Sequence, residues 1–93
     1  MYNIEKSVYD NLIKYFKSNN DIKGVILFGS RAKGNDKINS DIDLCIDCSH
    51  RLWGTISEEI NDIVGIYSCD IVFQGSVNEE LRREIDKYGV KIY

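Results

Sequence analysis

Residues 24–47 read GVILFGSRAKGNDKINSDIDLCID, and two parts of this segment predict neighbouring strands. Residues 24–28 form a short, continuous apolar run of the kind found in buried strands. Residues 41–47 alternate between apolar and polar side chains, which predicts a strand with one apolar face. Asp41 and Asp43 lie together on the opposite face. We therefore expect one face of this strand to form core and the other to carry chemistry.

The rest of the chain predicts helices before and after these strands in the sequence. We expect Asn3 to cap the first helix and Ser76 to cap the last one through a capping box with Glu79. Residues 31–40 have no sustained periodicity and should form a short helical turn followed by a loop. The predicted helices span residues 3–18, 51–64 and 77–88, and the further strands span 66–74 and a short terminal segment at 90–93.

This order of elements describes a small α/β (α+β) protein with a mixed β-sheet that is packed with helices mainly on one face. The chain has 93 residues, so we expect residues 1–93 to form a single domain.

Composition argues against several classes of function. The chain has a formal net charge of −3, which disfavours the phosphate-neutralising grip of a DNA-binding protein. No apolar run is long enough to span a bilayer, so we expect no membrane role. The first residues lack the pattern of a secretory signal, and we expect a cytoplasmic protein.

Cys45 and Cys48 have the Cys-x-x-Cys spacing, and His50 follows two residues later. This spacing suggests a zinc or redox site. A second pair of ligands is missing, however, and Cys45 falls within an alternating strand pattern, so we favour core thiols.

Asp41 and Asp43 would repel each other unless a cation lay between them. Magnesium is the natural choice, because it takes oxygen ligands from one or two carboxylates together with substrate phosphates. Asp70 lies on a neighbouring predicted strand and could complete the site. Three such carboxylates can hold two metal ions about 3.5–4 Å apart for an in-line displacement.

Gly29 and Ser30 follow the buried strand and open a turn, where free backbone N–H groups let a phosphate approach closely. The hydroxyl of Ser30 can also donate to a phosphate oxygen. Arg31 is the nearest basic residue to this turn and is a candidate for steadying a triphosphate. The alternative for Arg31 is a structural role, either on the surface or paired with a nearby Asp.

Residues 27–34 and 40–44 together resemble the signature of the DNA polymerase beta-like nucleotidyltransferase superfamily, specifically the minimal nucleotidyltransferases (MNT). The resemblance implies the polymerase beta-like fold, with Gly29 and Ser30 on the strand-to-helix turn. It also implies that Asp41 and Asp43 bind metal and that Asp70 is the third catalytic carboxylate. The implied substrate is ATP, and the implied cofactor is Mg²⁺, as two ions.

The same resemblance implies a protein partner, because minimal nucleotidyltransferases are often encoded beside a HEPN toxin and form a complex with it. The implied reaction transfers AMP from ATP to a tyrosine hydroxyl of that toxin, which makes the nucleotidyltransferase an antitoxin. Two alternatives stay open at this stage. The chain could neutralise its partner by binding alone, or it could modify a small molecule, which we disfavour because such enzymes carry an extra acceptor domain that we do not expect within these 93 residues.

Overall fold

The computed structural model describes all 93 residues and contains one four-stranded sheet with four α-helices. The order of elements along the chain is the predicted one, including the short terminal strand. None of the helices is long and apolar enough to cross a membrane. The elements are α1 (Lys6–Ser18), β1 (Ile22–Phe28), α2 (Gly29–Lys33), β2 (Ile42–Cys48), α3 (Trp53–Val64), β3 (Cys69–Phe73), α4 (Glu79–Tyr88) and β4 (Val90–Lys91).

The sheet is mixed, as predicted, and its strand order is β3-β2-β1-β4. The strand β1 pairs antiparallel with both β2 and β4, whereas β2 and β3 are parallel. A parallel pair needs a long crossover connection, and α3 supplies it. As a result, β2 and β3 begin at the same end of the sheet.

The two faces of the sheet are covered unequally. Ile42, Leu44 and Ile46 of β2 are fully buried in a main core of 13 residues, which also includes residues of α1 and α3. On the opposite face, α4 covers a cluster of only three buried residues, Phe28, Cys45 and Ile85. The prediction of helices mainly on one face is therefore confirmed, and the Asp-bearing face of β2 is the less covered one.

The third strand is shorter than predicted, because it begins at Cys69 rather than at residue 66. Gly65 has a φ of +62°, and the N–H of Tyr67 donates to the carbonyl of Val64 at 3.2 Å, which closes a turn. Ile66 therefore lies in this turn and not in a strand, despite the β-branched side chain that suggested one.

Both predicted helix caps are wrong. The helix α4 is capped by Asn78, whose side-chain oxygen accepts from the N–H of Leu81 at 2.8 Å, while the hydroxyl of Ser76 donates to the carbonyl of Phe73. No side chain caps α1, which begins at Lys6. Asn3 instead adopts a left-handed φ of +58° and donates its side-chain amide to Asp36.

The cysteines of β2 face opposite sides of the sheet. Cys45 packs with Phe28 and Ile85 beneath α4, whereas Cys48 packs against the main core. Since these two thiols cannot approach a common metal ion, the interpretation as core thiols is supported over the zinc site.

Candidate active site

The register of the parallel pair brings two of the predicted carboxylates together. Asp43 of β2 and Asp70 of β3 are direct partners across the ladder, so their side chains point to the same face from strands about 4.8 Å apart. Asp41 immediately precedes β2 and is exposed, as is Asp70. Asp43 is only partly exposed, and it lies on β2, which is an inner strand of the sheet.

Gly29 lies directly against the carboxylate of Asp43. Phe28, the last residue of β1, pairs with Asp43, so the turn that follows passes over the Asp43 side chain. A Cβ atom on Gly29 would overlap the Oδ2 atom of Asp43, and Gly29 has a left-handed φ of +75°. Glycine is therefore required here on two grounds, and the turn that carries Ser30 is fixed beside the carboxylate pair.

The charge around Asp43 is unbalanced. Burial raises the pKa of Asp43 from 3.8 to about 6, and the neighbouring carboxylates of Asp70 and Asp41 contribute to this rise, while the positive charge of Arg31 offsets part of it. A carboxyl group crowded by two others favours either a proton or a cation. The site is therefore electrostatically suited to bind positive charge.

The predicted three-carboxylate cluster is not assembled as a complete ligand set. The three side chains influence one another's charge, yet no group of three or more His, Cys, Asp or Glu side chains is close enough to hold a metal ion. The donors themselves fit Mg²⁺, which usually takes one or two carboxylates and completes its shell with substrate phosphates and water. Asp41 and Asp43 are the residues that would hold it, with Asp70 beside them to complete the site.

Arg31 is placed differently from the expectation. It is only 3% exposed, and its guanidinium donates to the carbonyls of Tyr2, Asn3 and Ser40 at 3.2, 3.1 and 2.8 Å. It also lies 3.6 Å from the buried carboxylate of Asp36. This placement argues for the structural alternative and against a contact with a triphosphate.

We expect Arg31→Met to destabilise the protein by about 2–4 kcal/mol, because three carbonyls and the buried Asp36 would lose their partner. Chemical denaturation monitored by circular dichroism measures this loss. Arg51→Met is the matched control, since Arg51 is exposed and its replacement should change stability by less than about 0.5 kcal/mol. Equal stability of the two variants would show that the Arg31 contacts contribute nothing.

Glu84 is a charged neighbour of the site that the sequence did not reveal. It projects from α4 and forms an ion pair with Lys33 of α2 at 2.5 Å. Its negative charge also contributes to the raised pKa of Asp43. Glu84 is far from Asp43 in the sequence, and only the packing of α4 on the sheet brings the two residues close. The sequence alone therefore did not indicate this proximity.

The fold and the carboxylate edge together define a nucleotidyltransferase-type domain. The chain belongs to the family described as Polymerase beta, Nucleotidyltransferase, whose profile matches residues 10–93. Among curated protein sequences, none matches this chain significantly.

Three solved structures illustrate the similarity in fold. A toxin–antitoxin with AMP-PNP has 20% identity and a TM-score of 0.73, covering 91% of this chain and 72% of that one. A tri-AMPylated Shewanella oneidensis HEPN toxin in complex with an MNT antitoxin has 15% identity and a TM-score of 0.68, covering 100% and 72%. The toxin–antitoxin MntA-HepT has 17% identity and a TM-score of 0.67, covering 96% and 72%. At these identities the similarity shows the fold alone.

Proposed function

We propose that this chain is an antitoxin that transfers AMP from ATP to a hydroxyl of a partner HEPN toxin, with tyrosine as the acceptor and Mg²⁺ as the cofactor. The observation that carries the proposal is the contact of Gly29 with Asp43 beside Asp70. It fixes the turn that carries Gly29 and Ser30 directly against the paired carboxylates at one edge of the sheet. The solved complexes of similar fold, one with AMP-PNP and one with a tri-AMPylated HEPN toxin, support the same reaction.

The residues of the candidate site have different roles in the proposed reaction. The acceptor oxygen attacks the α-phosphorus of ATP, the bond to pyrophosphate breaks, and the acceptor proton passes to a carboxylate, for which we propose the exposed Asp70. Gly29 and Ser30 orient the triphosphate through the backbone and the hydroxyl. Bound Mg²⁺ would neutralise phosphate charge and favour ionisation of the acceptor hydroxyl. Asp41 and Asp43 would hold it.

The test is incubation of the purified protein with labelled ATP, Mg²⁺ and the HEPN protein encoded beside it. We expect label on the partner and a mass increase of one or more AMP units, both lost when EDTA is added. Absence of both label and complex formation would contradict the proposed function.

A second candidate is neutralisation by binding alone. It needs neither ATP nor metal, and it is supported by the solved toxin–antitoxin complexes of similar fold. The double variant Asp41→Ala, Asp43→Ala separates the two candidates. Neutralisation of the toxin that survives in this variant indicates occlusion, whereas loss of neutralisation with the complex intact indicates transfer.

A further inference from the structure

A cavity of about 290 Å³ lies between α4 and the sheet, away from the carboxylate edge. Its volume is close to the lower end of the range for small-molecule binding sites, about 300 Å³. The buried side chains of Cys45 and Ile85 line its inner part, together with the half-buried Ile26 and Val77. None of the predicted site residues lines it. The cavity is therefore a feature that the proposed function does not use.

The strand β2 separates the cavity from the candidate active site. Alternation along this strand places Asp43, Cys45 and Asp47 on the same face of the sheet. Asp47 lines the cavity, and it lies about 13 Å along the strand from Asp43. Cys45 lies between the two and packs with Ile85 of α4. The packed part of α4 thus stands between the cavity and the carboxylates.

The cavity is open because Gly24 has no side chain to fill it. Gly24 pairs directly with Asp47 across β1 and β2, and both residues line the cavity. A Cβ atom on Gly24 would have one neighbour within 4 Å, the backbone oxygen of Tyr93 at 3.5 Å, which is an ordinary contact. The backbone of Gly24 is also not left-handed. A larger side chain therefore fits at this position and would occupy the cavity.

The rim of the cavity carries five exposed charged side chains, of which three are basic and two are acidic. They are Lys23, Arg82, Lys91, Asp47 and Asp86. None of them takes part in an ion pair, so their charges are free to pair with a ligand. The excess of positive charge at the rim contrasts with the formal net charge of −3 of the whole chain.

Arg82 is the basic residue that is best placed to hold an anion. Its guanidinium donates to the carbonyl of Gln74 at 3.0 Å, which fixes the side chain at the rim. Its charge also reaches the inner part of the cavity. Burial raises the pKa of the Cys45 thiol, and the charge of Arg82 opposes this rise more strongly than the charge of Asp47 adds to it. The cavity is therefore positive where its apolar wall begins.

The wall and the rim together define the chemistry of a ligand. An apolar body would displace water from Ile26, Val77 and Ile85, and an anionic group would form a charge-assisted hydrogen bond with Arg82. A wholly polar ion would leave the apolar wall in water. A wholly apolar molecule would gain nothing from the guanidinium.

We propose that this cavity binds a small molecule with an apolar body and one anionic group that pairs with Arg82. The site is separate from the carboxylate edge, so it binds its ligand without ATP and without Mg²⁺. The inference does not depend on AMP transfer, and a failure of either proposal leaves the other standing.

The probe for the test is 8-anilinonaphthalene-1-sulfonate, a fluorescent dye with apolar rings and one sulfonate. N-phenyl-1-naphthylamine has the same rings without the sulfonate and is the matched neutral probe. We expect the parent to bind the sulfonate dye saturably at one site and more tightly than the neutral dye. Amide chemical-shift changes in NMR should centre on Ile26, Cys45 and Ile85 and leave Gly29 and Asp70 unchanged.

Gly24→Leu should abolish saturable binding of both dyes, because the new side chain occupies the cavity. Gly54→Leu is the matched control, since Gly54 is exposed in α3 and a Cβ atom there would have no neighbour within 4 Å. It adds the same apolar side chain to the surface and should leave binding unchanged. Circular dichroism checks that both variants fold. Equal binding by the two variants would overturn the proposal, because general surface hydrophobicity would then explain the signal.

Arg82→Gln should weaken binding of the sulfonate dye about tenfold and leave binding of the neutral dye unchanged, because only the charge-assisted hydrogen bond is lost. Arg83→Gln is the matched control, since Arg83 is the next residue of α4, is exposed, and does not line the cavity. It should bind both dyes as the parent does. Equal affinity of the two variants for the sulfonate dye would show that Arg82 holds no anion.

Three further outcomes overturn the proposal. Absence of saturable dye binding by the parent would show that the cavity takes no such ligand. Displacement of the dye by ATP with Mg²⁺ would assign the dye to the nucleotide site. Displacement by the purified HEPN protein would assign the cavity to a side chain of the partner.

Discussion

Gly29→Ala should reduce AMP transfer about a hundredfold or more. A Cβ atom at this position would overlap the Oδ2 atom of Asp43, so the carboxylate must turn away from its present position. Asp43 belongs to a strand that is paired on both sides, and its backbone therefore has little room to follow. Misplacement of a reacting group by about 1 Å is enough to reduce a rate about a hundredfold.

Gly34→Ala is the matched control for this variant. Gly34 has a φ of +78°, close to the +75° of Gly29, but a Cβ atom on Gly34 would have no neighbour within 4 Å. Both alanines carry the left-handed backbone penalty of about 1–2 kcal/mol, so the difference between the variants isolates the contact with Asp43. Thermal unfolding and initial rates of labelled AMP incorporation measure the two effects. Equal rates in the two variants would show that the position of the Asp43 carboxylate is unimportant.

The local patterns of the sequence predicted the presence of each strand and the two faces of β2, although β3 begins later than predicted. The alternation in residues 41–47 has a period of two, so it assigns Asp43 to the face opposite the core. This assignment does not depend on how the rest of the chain folds. The pairing of Asp43 with Asp70 could not be predicted in the same way. It depends on strand order and register, which are set by contacts between residues that are distant in sequence.

Arg31 shows why the role of a charged residue is difficult to predict. A charged side chain is rarely buried without partners, so a position beside a turn that is predicted to bind phosphate suggests an exposed cation. Its actual partners include the carbonyls of Tyr2 and Asn3, which are exposed to the guanidinium by two successive left-handed residues. Asparagine tolerates a left-handed backbone, but nothing in the tyrosine at position 2 indicates that conformation.

The misassigned cap of α4 has a similar cause. Ser76 and Asn78 are both good capping residues, and Ser76 with Glu79 matches the capping-box spacing. In the structure a short 3₁₀ turn continues from β3 through Ser76, which delays the start of the helix and leaves Asn78 in the capping position. A local motif is therefore overruled by the position at which the strand ends.

Asp43→Asn is expected to have opposite effects on activity and on stability. In the proposed reaction, transfer of AMP should fall about a thousandfold or more, because a carboxylate that holds Mg²⁺ would supply several kcal/mol of transition-state stabilisation. The metal-free protein should become more stable by about 1–2 kcal/mol near pH 7, after allowance for the partial exposure of Asp43. The gain arises because the amide removes a crowded negative charge whose pKa is raised to about 6.

Asp47→Asn is the matched control, since Asp47 lies on the same face of β2, is exposed, and is at the opposite end of the strand. It should leave both transfer and stability unchanged. Labelled AMP incorporation measures the first effect, and thermal unfolding in EDTA measures the second. If Asp43→Asn transferred AMP at the same rate as Asp47→Asn, the proposed role of Asp43 in holding Mg²⁺ would be wrong.

The dependence on pH identifies the source of the stability gain. Between pH 3.8 and about 6 the folded protein binds more protons at Asp43 than the unfolded chain does, so the free energy of unfolding of the parent falls as pH rises through this window. The asparagine variant has no group that titrates at this position. Its advantage over the parent should therefore be small near pH 4, grow up to about pH 6 and stay constant above. An advantage that is the same at both ends of the window would mean that packing, and not charge, explains it, and the electrostatic account of the site would be wrong.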